Sequence, residues 1–170
     1  MTQALWYAGN MSTHLAEVSW ELSGEDFRAG KYSREHVWKF DGGVTLPASP
    51  SPQIVREPYS NPAAVDPEEA FVAAIASCHL LTFLHVASRR GVVVTRYVDN
   101  AVGSMTKNEH GIAWVSKVVL RPRVEYGDGV KPSAELEAEL HHAAHAQCFI
   151  SNSVKTTIVV DTPTGKRPDA

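Results

Sequence analysis

The sequence contains only two cysteines, Cys78 and Cys148, in 170 residues. The N-terminal segment has neither the positive start nor the apolar run of a secretion signal, so we expect a cytoplasmic protein. A structural disulfide is rare in that reducing compartment. Transient redox chemistry, metal ligation and inert packing remain as explanations of the two thiols.

The sequence also lacks an excess of basic residues, and its formal net charge is −3. This balance argues against nucleic acid or a membrane surface as the partner. A Gly-rich phosphate loop and a nucleophile-elbow motif are both missing, so nucleotide-binding and serine-hydrolase functions have no support. With 44% hydrophobic residues, the chain is long enough for one well-packed domain.

No uninterrupted apolar run is long enough to suggest a transmembrane helix. The most apolar segment, residues 70–86, is interrupted by Ser77, His79, Thr82 and His85. We therefore predict that this segment is a core helix of a globular protein.

The start and end of this helix are marked in the sequence. Asp66 stands at the expected N-cap, Pro67 at the first helical position and Glu69 at the third, which fits a capping box. Gly91 is expected to end the helix. About 24 residues would give a helix of about 36 Å, apolar on nearly all sides. A chain of this size cannot easily cover such a helix, so we expect self-association.

Alternating patterns predict strands on both sides of the long helix, and the order of elements predicts an α+β fold. A second helix is expected from Ser133, and a final strand is expected over 153–161. The other predicted elements are a β-hairpin over 13–23 and 31–40, a proline-rich loop over 47–63, and a second hairpin whose turn is 106–111.

Each cysteine has a non-catalytic explanation. Cys78 lies among apolar residues, where a thiol is most often a small hydrophobe, and its pKa would be raised unless a cation were near. His141, His145 and Cys148 share one helix face at zinc-ligand spacing, but they would span roughly 10 Å, too far for one ion on a straight helix. Solvated histidines are the alternative.

Two cysteine segments carry a family resemblance. A Pro-Glu-Glu helix start, a cysteine ten residues after Glu68, and a second cysteine seventy residues later followed by "FISNSVKTTIVVD" resemble the OsmC and organic hydroperoxide resistance family. The segments "CHLLTFL" and "CFISNSV" are closest to its OsmC-like branch. The resemblance runs from about Thr13 to Asp161. It implies an OsmC-like fold, with antiparallel β-hairpins around a long buried central helix, in an intertwined homodimer. The implied domain is 13–162, between an N-terminal extension, 1–12, and a C-terminal tail, 163–170.

The resemblance also implies a thiol peroxidase that needs neither metal nor cofactor. Cys78 would attack an organic hydroperoxide and become a sulfenic acid, and Cys148 would condense with it to a disulfide. An external dithiol, such as a lipoyl protein, would reduce that disulfide. The family's activating glutamate corresponds to Glu68, and its arginine to Arg34. Arg28 and Arg56 are the alternatives for the arginine.

A geometric consequence follows for Glu68. Ten residues of one helix would hold Glu68 about 15 Å from Cys78. Either the helix breaks between them, or Glu68 serves Cys78 of a second subunit, which is our prediction. A zinc-binding protein and a hydrophobic-ligand-binding protein remain the alternatives to the peroxidase.

Overall fold

A computed structural model describes residues 12–22, 26–127 and 131–162. Two compact units meet in sequence between Pro67 and Glu68. The predicted C-terminal tail, 163–170, and all but one residue of the predicted N-terminal extension lie outside the described residues. The single domain over 13–162 stays a prediction.

The N-terminal unit contains a three-stranded antiparallel sheet in the order β1-β2-β3. The pairing of β1 with β2 confirms the first predicted hairpin. Strand β3 was not predicted, because it enters the proline-rich segment. Pro47 fits there because β3 is an edge strand, where a missing N–H is tolerated. The strands are β1 (Ala16–Ser19), β2 (His36–Phe40) and β3 (Thr45–Ala48).

Helix α1 (Pro67–Arg89) has the predicted limits, and all of it after Pro67 belongs to the second unit. Its 23 residues are continuous, which excludes a break between Glu68 and Cys78. Gly91 follows the helix with φ of 70°, a left-handed conformation that glycine adopts at little cost.

The strands of the second unit form two separate sheets. The predicted hairpin is confirmed by the antiparallel pair β5-β6, but each β-rich run is divided in two, and β4 pairs with β7 instead. The final strand, also predicted, pairs in parallel with β6. The strands are β4 (Val94–Asp99), β5 (Val102–Lys107), β6 (Ala113–Leu120), β7 (Pro122–Tyr126) and β8 (Thr157–Val160).

Helix α2 (Ala134–Gln147) begins at the predicted Ser133, whose side chain accepts a hydrogen bond from the N–H of Leu136. Two apolar clusters contact different parts of α1. One joins it to α2 and to residues of β4 and β7, and the other joins it to β6 and β8. The buried members of the first cluster are Phe83, Val86, Ala87, Leu140 and Ala144. Those of the second cluster are Ile75, Val118, Leu120 and Val160.

Much of α1 is nevertheless exposed in the described part of the chain. By length and composition alone the helix could cross a membrane, although the sequence analysis predicted that it is too interrupted to do so. Only 22% of its most apolar window is buried. A core helix of a soluble protein passes the same test of length and composition. Its exposed stripe consists of Ala73, Ala74, Ser77, Leu81, Leu84 and Ser88.

Candidate functional site

The fold brings the two cysteines together. Cys78 is half-buried on α1, whereas Cys148 is completely buried and caps the C-terminus of α2. Both thiols are free, and Cys148 is close enough to Cys78 to raise the pKa of its thiol. The accessible thiol is therefore the one on the long helix, and the shielded thiol stands directly beside it.

The turn after α2 holds both sulfur atoms. The backbone N–H of Ile150 donates to Sγ of Cys78 at 3.5 Å, and the N–H of Ser151 donates to Sγ of Cys148 at 3.4 Å. Asn152 fixes the turn, because its side-chain amide donates to the carbonyl oxygens of Ala146 and Cys148 at 3.1 and 2.9 Å. The segment 148–153 thus aims backbone donors at both sulfurs.

The pKa of the Cys78 thiol is raised, first by burial and then by the neighbouring Cys148. The N–H groups of Ile150 and Phe149 act in the opposite direction, because they stabilise a thiolate. Among the described residues of the second unit, none of the groups that shift this pKa is a cation. A thiol in this setting needs a further positive charge to ionise at neutral pH.

A pair of buried histidines links α1 to α2. Nε2 of His79, on α1, is 3.1 Å from Nδ1 of His141, on α2, so one ring donates a hydrogen bond to the other. The rings are nearly parallel, and His141 also stacks on Phe83. Burial lowers the pKa of His79 to about 3 and that of His141 to about 4. Both rings are therefore neutral at physiological pH.

This pair corrects one expectation. His141 was expected to be either a zinc ligand or a solvated residue, whereas it is buried and bonded to His79. The described residues include no group of three or more histidine, cysteine, aspartate or glutamate side chains arranged to hold a metal ion. Within the described residues, the zinc alternative therefore has no set of three ligands to support it. An isolated histidine in the middle of an apolar helix was the signal that could have indicated a buried partner.

The other predicted site residues are not gathered around Cys78 within the second unit. Glu68 lies ten residues before Cys78 on the unbroken α1, about 15 Å away along its axis. Arg34 belongs to the N-terminal unit, where its guanidinium covers the Tyr32 ring and donates to the Tyr32 carbonyl. Arg28 and Arg56 are exposed in the same unit.

Known proteins of one family resemble this chain in sequence and in fold. The family model described as OsmC-like protein matches residues 60–162. An OsmC-like protein of unknown function from Vibrio cholerae is 48% identical, with 89% of this chain and 99% of that chain covered and a TM-score of 0.86.

More distant solved structures share the fold. An organic hydroperoxide resistance protein OsmC from Legionella pneumophila is 19% identical, with coverages of 90% and 96% and a TM-score of 0.63. An organic hydroperoxide resistance protein from Elizabethkingia anophelis is 20% identical, with coverages of 91% and 96% and a TM-score of 0.65. No curated protein matches the sequence.

Proposed function

Because the chain belongs to the OsmC family, we propose that it is a cytoplasmic thiol peroxidase that reduces organic hydroperoxides through Cys78 and Cys148. The observation that carries the proposal is the contact between a half-exposed thiol and a buried one, both of which accept backbone N–H groups. The distant relatives described as organic hydroperoxide resistance proteins share this fold. An alkyl or fatty hydroperoxide suits the apolar residues that surround Cys78 in the sequence of α1.

The reaction divides between the two thiols according to their exposure. The Cys78 thiolate attacks the O–O bond, the bond breaks, an alcohol leaves after protonation, and Cys78 becomes a sulfenic acid. The buried Cys148 cannot meet a bulky peroxide, but it can reach Cys78. Its thiol condenses with the sulfenic acid to form a disulfide and release water. A dithiol, such as a lipoyl protein, then exchanges with the disulfide and restores both thiols.

A reaction with one equivalent of an alkyl hydroperoxide tests this proposal. The reduced protein should lose both free thiols within seconds and about 2 Da of mass, since two hydrogens leave when a disulfide forms. The tryptic peptides that contain the two cysteines, 57–89 and 124–155, should be recovered linked. Cys148→Ser should stop at a sulfenic acid that dimedone traps, and Cys78→Ser should not react. Two thiols still free after several minutes would refute the peroxidase.

The homodimer is part of the same proposal. The uncovered stripe of α1 is apolar, with Leu81 48% and Leu84 37% exposed, and a second copy would cover it. Glu68 would then serve Cys78 of the other subunit, and the guanidinium of Arg34 would supply the charge that the thiolate needs. Both assignments, and the choice of Arg34 over Arg28 and Arg56, are proposals.

Mixed dimers test the placement of Glu68. Neither Glu68→Gln nor Cys78→Ser should be active alone. Co-refolding the two chains should restore up to half of the native activity per mixed dimer, because one site then holds an intact Cys78 and the Glu68 of the other chain. Without any recovery in dimers verified by native mass spectrometry, the assignment of Glu68 to the second subunit would be wrong. A fully active monomer would refute the dimer requirement itself.

A further inference from the structure

The hydrogen bond between His79 and His141 leaves part of each ring without a partner. Both residues are almost completely buried, at 0% and 1% exposure. Nδ1 of His79 and Nε2 of His141 are also buried, and neither has a hydrogen-bond partner among the described residues. Whichever ring donates, one N–H and one bare nitrogen remain unsatisfied. Two leucines of similar volume would have no such penalty, so the pair adds little to stability.

The position of the pair relative to the thiols suggests what it does instead. His79 follows Cys78 by one residue, so its side chain leaves α1 about 100° around the axis from the thiol. His141 precedes Cys148 by seven residues, which places both on the same side of α2 about 10 Å apart along its axis. The helices therefore meet through the histidine bond and the neighbouring thiols as well as through their apolar cluster. Because a hydrogen bond depends on direction as well as distance, the histidine bond constrains the crossing of the helices more closely than apolar contacts alone do.

We propose that His79 and His141 are positioning residues, and that their hydrogen bond holds α1 against α2 at the spacing that favours a Cys78–Cys148 disulfide. The inference rests on the proposed pairing of these cysteines. A disulfide tolerates only a narrow range of Cα separations and torsions. Holding two reacting groups in place raises their effective concentration, so the histidine bond shifts the dithiol–disulfide equilibrium toward the disulfide.

Two double variants separate the hydrogen bond from mere filling of space. His79→Leu/His141→Leu keeps the volume and removes the bond. In His79→Gln/His141→Asn, the glutamine amide nitrogen stands as many bonds from its Cα as the histidine Nε2. The asparagine amide nitrogen matches Nδ1 in the same way. This second variant can retain the bond without a titrating ring.

Equilibration with mixtures of reduced and oxidised dithiothreitol gives the readout, because this thiol exchange needs neither a peroxide nor an active peroxidase. Oxidising two protein thiols reduces one molecule of cyclic dithiothreitol, so the exchange balances. The equilibrium constant for the protein disulfide should fall about 5-fold to 10-fold in the Leu/Leu variant, the effect of one net hydrogen bond. It should stay within about twofold of the native value in the Gln/Asn variant. Circular dichroism and urea denaturation show whether each variant folds.

The outcomes distinguish this inference from the proposed function. Equal equilibrium constants in the native protein and a folded Leu/Leu variant would refute the positioning role and leave the peroxidase intact. A Leu/Leu variant that fails to fold would show that the bond is structural, and would also refute it. A native protein that forms no disulfide in any mixture would refute the cysteine chemistry itself.

Discussion

Acidification should unfold this protein through the buried His79–His141 pair. The folded-state pKa values of about 3 and about 4 lie below the unfolded value of about 6.5. As the pH falls, the unfolded chain therefore binds protons before the folded chain does. The stability is intact above about pH 6.5 and is lost progressively as the pH falls toward the folded-state values.

The size of the loss follows from these values. Each ring favours the unfolded state by about 1.4 kcal/mol per pH unit below about 6.5. At pH 5 this amounts to about 2 kcal/mol for each ring and about 4 kcal/mol for the pair. With a urea m-value of about 2 kcal/mol per molar, the denaturation midpoint should fall by about 2 M between pH 7 and pH 5.

Other titrating groups also contribute to the acid profile. The pKa of His145 is lowered by burial and by His142, so its effect has the same sign. The pKa of Asp99 is raised by burial, so the folded state takes up that proton first, and acidification through this group is stabilising. A comparison of variants at each pH cancels both effects, because His145 and Asp99 are present in all chains.

Urea denaturation followed by circular dichroism at pH 7, 6 and 5 measures the slope. His79→Leu/His141→Leu should lose most of the acid sensitivity. The matched control, His110→Asn, removes a histidine whose side chain is 73% exposed, and it should retain the native slope. Equal native midpoints at pH 7 and pH 5, or an unchanged slope in the Leu/Leu variant, would refute the reasoning.

Three local predictions concern the turns. Ser133→Ala should lower the free energy of unfolding by about 1 kcal/mol, because the N–H of Leu136 loses its cap, and urea denaturation at pH 7 measures it. Gly91→Ala should lower the free energy of unfolding by about 1 kcal/mol in the same assay, because an alanine at this left-handed φ is strained. Its control, Gly42→Ala, should leave the free energy of unfolding unchanged, because Gly42 does not have a positive φ and an added Cβ would meet no described atom within 4 Å. Asn152→Ala should slow disulfide formation several-fold, because two hydrogen bonds that hold the Cys148 turn are lost. Dimedone should then trap more of the Cys78 sulfenic acid. An unchanged yield of the dimedone adduct would contradict this role of the turn.

The helices and the first hairpin were predictable because their signals are local. Asp66 and Pro67 before an apolar run, and Ser133 before a second one, indicate helix starts within a few residues. Strand β3 was missed because a proline-rich segment argues against a strand, although an edge strand accepts Pro47. The division into β4 and β5 was missed because two residues, Asn100 and Ala101, interrupt an otherwise continuous β pattern.

The candidate site was less accessible to sequence reasoning because its contacts join distant residues. The bond between His79 and His141 spans 62 positions, and each histidine alone has an ordinary alternative explanation. Periodicity indicates which face of a helix is buried, but not what the other helix places against it. The meeting of Cys78 with Cys148 was expected only from the family resemblance, because no local pattern relates residues so far apart.

The proposed pairing of the two thiols and the proposed activation of Cys78 have different structural requirements. Pairing is complete within the second unit, where α1, α2 and the turn 148–153 hold both sulfur atoms. Activation is not complete within this unit, because burial and Cys148 raise the pKa of Cys78 and only backbone N–H groups lower it. The proposed peroxidase therefore depends on a charge brought from elsewhere, which we assign to Arg34, and on Glu68 of the partner subunit. Disulfide exchange at alkaline pH should need only one folded chain, whereas fast reaction with a peroxide at neutral pH requires the assembled site.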